Sequence, residues 1–136
     1  MMAIADTGFL VASVARRDRY HHWAAELASR VDEPLLTCEA VLAETAFHLG
    51  SAAAALELVH TGLVRPDFDI AAHLPRLSEL AARYRDRNPD LADLCLIRMS
   101  ELHPKLPIIT TDVKDFRVYR RNRREAIPLI VPGAVQ

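Results

Sequence analysis

At 136 residues the chain is sized for one domain with a substantial core, and 51 % hydrophobic with 26 % charged residues is an ordinary globular composition. A net charge of −1 gives no global field for a polyanion, and no apolar run approaches the roughly 20 residues that span a bilayer. The opening residues lack the basic, apolar and small-residue pattern of a signal peptide, so the default expectation is a cytoplasmic protein.

Ala3 to Asp6 is apolar and without period, which predicts a short buried strand. Thr7-Gly8 permits a turn into a helix carrying Phe9, Leu10 and Val11. A second helix is expected from about Tyr20 to Val31, with Trp23, Leu27 and Val31 spaced by four. Pro34 to Thr37 reads as a second strand, and Thr37 is placed to cap the helix that follows and ends near Gly50. Ser51 should cap an alanine-rich helix, Ala52 to His60, stopped by Gly62. Leu63 to Ile70 holds a short edge strand, since Pro66 is unsuited to a central one.

Asp69 is expected to begin the next helix, in which Ile70, Leu74, Leu77, Leu80, Ala81 and Tyr84 recur at helical spacing. Asn88-Pro89 breaks it, and Asp90 caps a helix through Glu101. Pro107 to Thr110 is a β-branched strand, and Ile127 to Val131 suggests a last one. Strands alternating with helices predict one α/β/α sandwich over residues 1–136, with a mainly parallel sheet covered on both faces. Cys38 and Cys95 fall in expected helices among apolar neighbours, without the paired spacing of a zinc site, and read as small buried hydrophobes.

Four acids stand where acids are costly. Asp6 and Asp112 end apolar strands, Glu44 lies inside a helix, and Asp93 interrupts Leu91-Ala92-Asp93-Leu94-Cys95-Leu96-Ile97. Each aspartate has an ordinary use as a cap, a helix-terminus charge or a turn former. A mid-helix glutamate among apolar residues gains nothing of the kind. Ligands in parallel sheets bind outside the carboxyl ends of strands, where Asp6 and Asp112 stand, while Glu44, Asp93 and Asp90 fall on inward helix faces. Carboxylates gathered there must take up protons or a cation. Hard divalent ions prefer oxygen donors, and such a site suits phosphodiester hydrolysis.

The motifs Ala5-Asp6-Thr7-Gly8-Phe9-Leu10, Val41-Leu42-Ala43-Glu44, Asp90-Leu91-Ala92-Asp93 and Thr110-Thr111-Asp112-Val113-Lys114-Asp115-Phe116 resemble, in order, the signatures of PIN-domain ribonucleases. The likeness is strongest to the VapC-type toxins of prokaryotic toxin–antitoxin pairs and covers essentially the whole chain. It implies a parallel-sheet α/β/α fold, an acidic pocket for Mg²⁺ or Mn²⁺, an RNA substrate, a small antitoxin partner and often a homodimer. By motif, the catalytic and metal-ligand set is Asp6, Glu44, Asp93 and Asp112. Asp90 and Asp115 would support it, and Thr7 and Thr111 would orient ligands or water. Gly8 departs from the small hydroxyl residue often found there.

Lys114, Arg117, Arg120, Arg121, Arg123 and Arg124 crowd one segment, and Arg83, Arg85 and Arg87 another. A charge run is most often a solvated face; beside an acidic site it would also grip RNA phosphates or an antitoxin's acids. Of six histidines, none has metal-ligand spacing with another, and His48 matters most because it follows Glu44 by one turn. The alanine-rich helix would allow close approach of a second subunit. The leading expectation is therefore a metal-dependent endoribonuclease, cleaving by in-line attack to leave 5′-phosphate and 3′-hydroxyl ends. The alternatives are a catalytically silent PIN-like module that binds RNA or protein and, less well matched, a phosphoacceptor receiver-like domain.

Overall fold

The computed structural model describes residues 1–133, so the last three residues of the expected domain lie outside the described residues. Strand β1 (Ile4–Ala5) leads into helices α1 (Thr7–Val14) and α2 (His21–Ser29), then β2 (Leu35–Thr37), α3 (Glu39–Leu49), α4 (Ala52–His60) and β3 (Val64–Pro66). A 3₁₀ turn at Ala71–His73 precedes α5 (Leu74–Arg83), and a second at Arg85–Arg87 precedes α6 (Leu91–Leu102). Strand β4 (Ile108–Ile109), the single-turn α7 (Val113–Phe116), the hairpin β5 (Arg120–Arg121) and β6 (Glu125–Ala126), and β7 (Leu129–Ile130) follow.

Five strands form one sheet in the order β3-β2-β1-β4-β7, every pairing parallel. The expected α/β/α sandwich is thus the fold, and Pro66 sits on an edge strand where its missing N–H is harmless. The chain steps one way from β1 to β3 and returns across to β4. Right-handed crossovers therefore put α1 to α4 over one face and α5 and α6 over the other. Contacts agree, with α1 packed on α2 and α3, α3 on α4, and α5 on α6. The order in which the chain adds strands reverses between β1 and β4, the switch point at which a crevice opens above the carboxyl ends.

The sheet is dry. Ala3, Ile4, Ala5, Ile108 and Ile109 have no exposed surface, nor do Phe9, Leu10, Leu80, Leu96 and Ile97 from the covering helices. At ~1.5–3 kcal/mol for each large apolar side chain covered, this core holds the crevice walls in place.

Local expectations and structure differ at several points. Thr37 does not cap α3; its hydroxyl donates across the sheet to the Ala5 carbonyl at 2.9 Å, and Cys38 takes the cap position without a side-chain bond. Asp69 closes a local turn by accepting from the Ala71 N–H, so α5 proper begins five residues later than Asp69. Other caps fall as expected: Ser51 accepts from the Ala54 N–H, Asp90 from the Asp93 N–H, and Gly50 ends α3 at φ 68°. Helix α7 and the β5–β6 hairpin arise in a segment that sequence periodicity leaves blank, because each element is too short to show a period.

Candidate metal centre

Asp6 follows β1, and Thr110, Thr111 and Asp112 follow β4, so parallel pairing of these strands brings positions a hundred residues apart onto one rim. The Asp6 N–H donates to the Ile109 carbonyl at 3.0 Å, extending the ladder to the acid itself. Asp6 accepts from the Thr7 N–H at 2.6 Å and from the Thr110 hydroxyl at 2.6 Å, and Thr110 Oγ1 in turn accepts from the Asp112 N–H at 2.9 Å. Glu44 reaches in from α3 and accepts from the Thr7 hydroxyl at 2.8 Å. Asp93, from the first turn of α6, accepts from the Tyr119 hydroxyl at 2.8 Å.

A cleft of about 300 Å³ opens over these groups, lined by Asp6, Glu44, Asp90, Asp93 and Asp112 together with Asp18. All four principal acids expected from the sequence therefore share one cleft. Carboxylate oxygens of Asp93, Asp112 and Asp115 lie within 4.8 Å of one another, a tighter trio than any that includes Asp6 or Glu44 among the described residues. Asp115 joins this trio from outside the cleft lining, with Arg87 holding one of its oxygens at 2.7 Å.

Three of the acids also cap helices pointing into the cleft: Asp6 at α1, Asp90 at α6 and Asp112, through the Asp115 N–H, at α7. Helix N-termini offset part of the negative charge. They do not offset all of it. Burial raises the Asp6 carboxyl to about 6 against its hydrogen bonds from Thr110 and Thr7, with Asp112 and Glu44 adding repulsion. Asp93 is pushed to about 8 by burial and then by Asp90, in spite of the Tyr119 bond. Glu44 is raised by burial and by the Asp90 carboxyl, and Asp112 by burial and by Asp115.

Glu101 shows what a structural acid looks like in the same molecule. Its side chain is only 2 % exposed, yet Arg76 binds it at 2.6 and 3.0 Å, Arg98 at 3.1 Å and the Asn122 N–H at 2.7 Å. Burial alone would raise this carboxyl; these partners outweigh it and leave it below the usual range. Among the described residues no arginine or lysine pairs with Asp6, Glu44, Asp90, Asp93 or Asp112, and His48 is the one side chain lining the cleft able to carry positive charge. An all-oxygen set with unspent negative charge fits a hard divalent cation.

The basic run divides. Lys114, Arg117, Arg123 and Arg124 are exposed, and Arg120 is half-buried with its guanidinium on the Arg117 and Tyr119 carbonyls. Arg121, grouped with them from the sequence, instead points inward, 6 % exposed, and binds Ser100 and Glu125. Hairpin pairing of Arg121 with Glu125 turns it toward α6, so it braces the fold. Arg83 is held by the Arg123 carbonyl. Sequence reasoning missed Asp18, Thr110 and Tyr119. Asp18 sits in a charged turn indistinguishable from solvated surface, and the hydroxyls gain meaning only from acids distant in the chain.

Gly8 has a reason in the structure: a Cβ there would collide with Thr111 Oγ1.

No curated protein matches the chain. Among solved structures it is similar to a chain of the crystal structure of VapBC2 from Rickettsia felis bound to a DNA fragment from their promoter. The two share 18 % identity and a TM-score of 0.62, over 96 % of this chain and 98 % of that one. At this identity the likeness concerns the fold. The family described as PIN domain matches residues 3–122, nearly the whole of the sheet and every acid of the cleft. With β1, α3, α6 and β4 delivering their acids to one rim, the chain belongs to the PIN-domain family.

Proposed function

We propose that this protein is a Mg²⁺- or Mn²⁺-dependent endoribonuclease and the toxin of a type II toxin–antitoxin pair, acting in the cytoplasm. The observation that carries the reading is a cleft of carboxylates with no arginine or lysine paired to them among the described residues, the Asp6 and Asp93 carboxyls being pushed up to about 6 and about 8. Asp6, Asp93 and Asp112 would hold the cation, with Asp115 beside the last two and Asp90 behind. A bound divalent ion supplies charge neutralisation at the scissile phosphate and a water of lowered pKa.

The chain's own groups do the rest. Glu44, whose carboxyl burial lifts above its ordinary value, is oriented by the Thr7 hydroxyl, as suits the acceptor of the attacking water's proton. Tyr119 and Thr110 fix the rotamers of Asp93 and Asp6, which keeps the oxygens pre-aimed. Attack of water on phosphorus and departure of the 3′ oxygen leave 5′-phosphate and 3′-hydroxyl ends. Lys114, Arg117, Arg120, Arg123 and Arg124 lie on the segment that follows Asp112 and offer cations to RNA phosphates or to an antitoxin's acids. Phe47 at 80 % and Leu56 at 65 % exposure on the α3–α4 pair give a homodimer an apolar contact.

The test is cleavage of RNA with added Mg²⁺ by wild type, Asp6→Asn and Asp93→Asn. Cleavage by wild type, abolished by EDTA and reduced at least ~100-fold in both variants, is the expected result. Undiminished cleavage in both variants would sink the assignment.

A further inference from the structure

Three threonine hydroxyls stand around the acids, and two are committed to carboxylates: Thr7 to Glu44 and Thr110 to Asp6. Thr111 also lines the cleft, and no hydrogen bond among the described residues engages its hydroxyl.

Gly8 sets where that hydroxyl sits. A side chain at position 8 would collide with Thr111 Oγ1 and bring its Cβ to 3.2 Å from Thr111 Cβ, so Thr111 would have to turn about χ1 or shift its backbone. Nothing else calls for glycine here. Gly8 lies in the first turn of α1 and is not among the positive-φ glycines, and glycine in a helix costs roughly 0.5–1 kcal/mol relative to alanine. The helix gives up that stability, and what the missing side chain makes room for is one free hydroxyl on the wall of the acid cleft.

We infer that Gly8 seats the Thr111 hydroxyl to hold a water of the bound divalent cation, which makes Thr111 a positioning residue of the site. The inference rests on the metal-centre reading above. Hard cations such as Mg²⁺ keep several waters, and a hydroxyl both donates and accepts, so one threonine links such a water to a neighbouring carboxylate.

Calorimetric titration of the full chain with Mn²⁺ alone tests this, with thermal midpoints in EDTA reporting the fold. Thr111→Val keeps the shape without the hydroxyl and should weaken Mn²⁺ binding about 10-fold at a nearly unchanged midpoint. Thr111→Ser should stay within about 2-fold of wild type, and Gly8→Ala should reproduce the valine loss with Thr111 intact. The pair Gly8→Ser/Thr111→Ala returns a hydroxyl from the opposite wall and should bind better than Thr111→Ala alone. Unchanged affinity in Thr111→Val, or Thr111→Ser as weak as Thr111→Val, overturns the hydroxyl's role and leaves the metal centre standing. A wild type that binds no Mn²⁺ overturns both readings. Should Gly8→Ala fail to fold, the valine and serine comparison still decides.

Discussion

Asp6→Asn keeps size and the α1 cap but removes a charge that the metal-free fold holds at a cost. The Asp6 carboxyl rises from 3.8 to about 6 on folding. Below pH ~4 it is neutral in both states and costs nothing; as pH climbs through 6 it ionises in the fold as well, and the stability present at low pH is lost. A shift of about two pH units corresponds to about 3 kcal/mol above pH 6. The variant recovers this less about 1 kcal/mol, because the amide donates where Thr110 now donates and that hydroxyl must turn. A net gain of about 2 kcal/mol raises the thermal midpoint by roughly 6 °C in a chain of this size. Calorimetric melting in EDTA at pH 8 and pH 4 measures it: a stabilised variant at pH 8, no gain at pH 4. Mn²⁺ at a hundred times its dissociation constant then lifts wild type by about 2.7 kcal/mol and reverses the order. A variant less stable than wild type at pH 8 without metal, or a gain at pH 4 as large as that at pH 8, would refute the picture of Asp6 as an acid strained by its surroundings.

The remaining predictions separate site acids from structural ones. Tyr119→Phe removes the bond that steadies Asp93, so Mn²⁺ affinity should fall about 10-fold and the pH at which binding saturates should move up, both read by titration across pH 6–9. Glu101→Gln leaves Arg76 and Arg98 facing a neutral group; partial solvent access to both arginines keeps the loss to about 3 kcal/mol, or a midpoint drop of roughly 9 °C, with Mn²⁺ affinity unchanged. Because Asp93 titrates near 8 and Asp6 near 6 without metal, Mn²⁺ binding should strengthen from pH 6 to 8 and release protons, which isothermal titration in buffers of differing ionisation enthalpy detects.

Much of the layout was legible from local chemistry. Apolar runs at 3–6 and 107–110 mark β1 and β4, Ser51 and Asp90 announce their helices, and Pro66 marks an edge. An acid after each of the apolar runs that become β1 and β4, and one inside α3 and one opening α6, need no tertiary information to look out of place. Short elements were not legible: α7 and the β5–β6 hairpin carry no period, and the cap at Thr37 was lost to a cross-strand bond with Ala5.

The site's finer order lies in contacts between distant positions. Arg121 is one arginine in a basic run until the hairpin turns it onto Ser100, 21 residues away. Tyr119 means nothing until it meets Asp93, and Thr110 nothing until parallel pairing sets it against Asp6, 104 residues away in sequence. The sequence by itself determined which residue types could not be paid for by a core: carboxylates embedded in apolar segments, a property of local composition. Tertiary structure alone decided that they meet without cations, that Glu101 does not, and that Gly8 leaves room for Thr111, because desolvation and repulsion depend on what stands within a few ångströms and the chain order does not encode that distance.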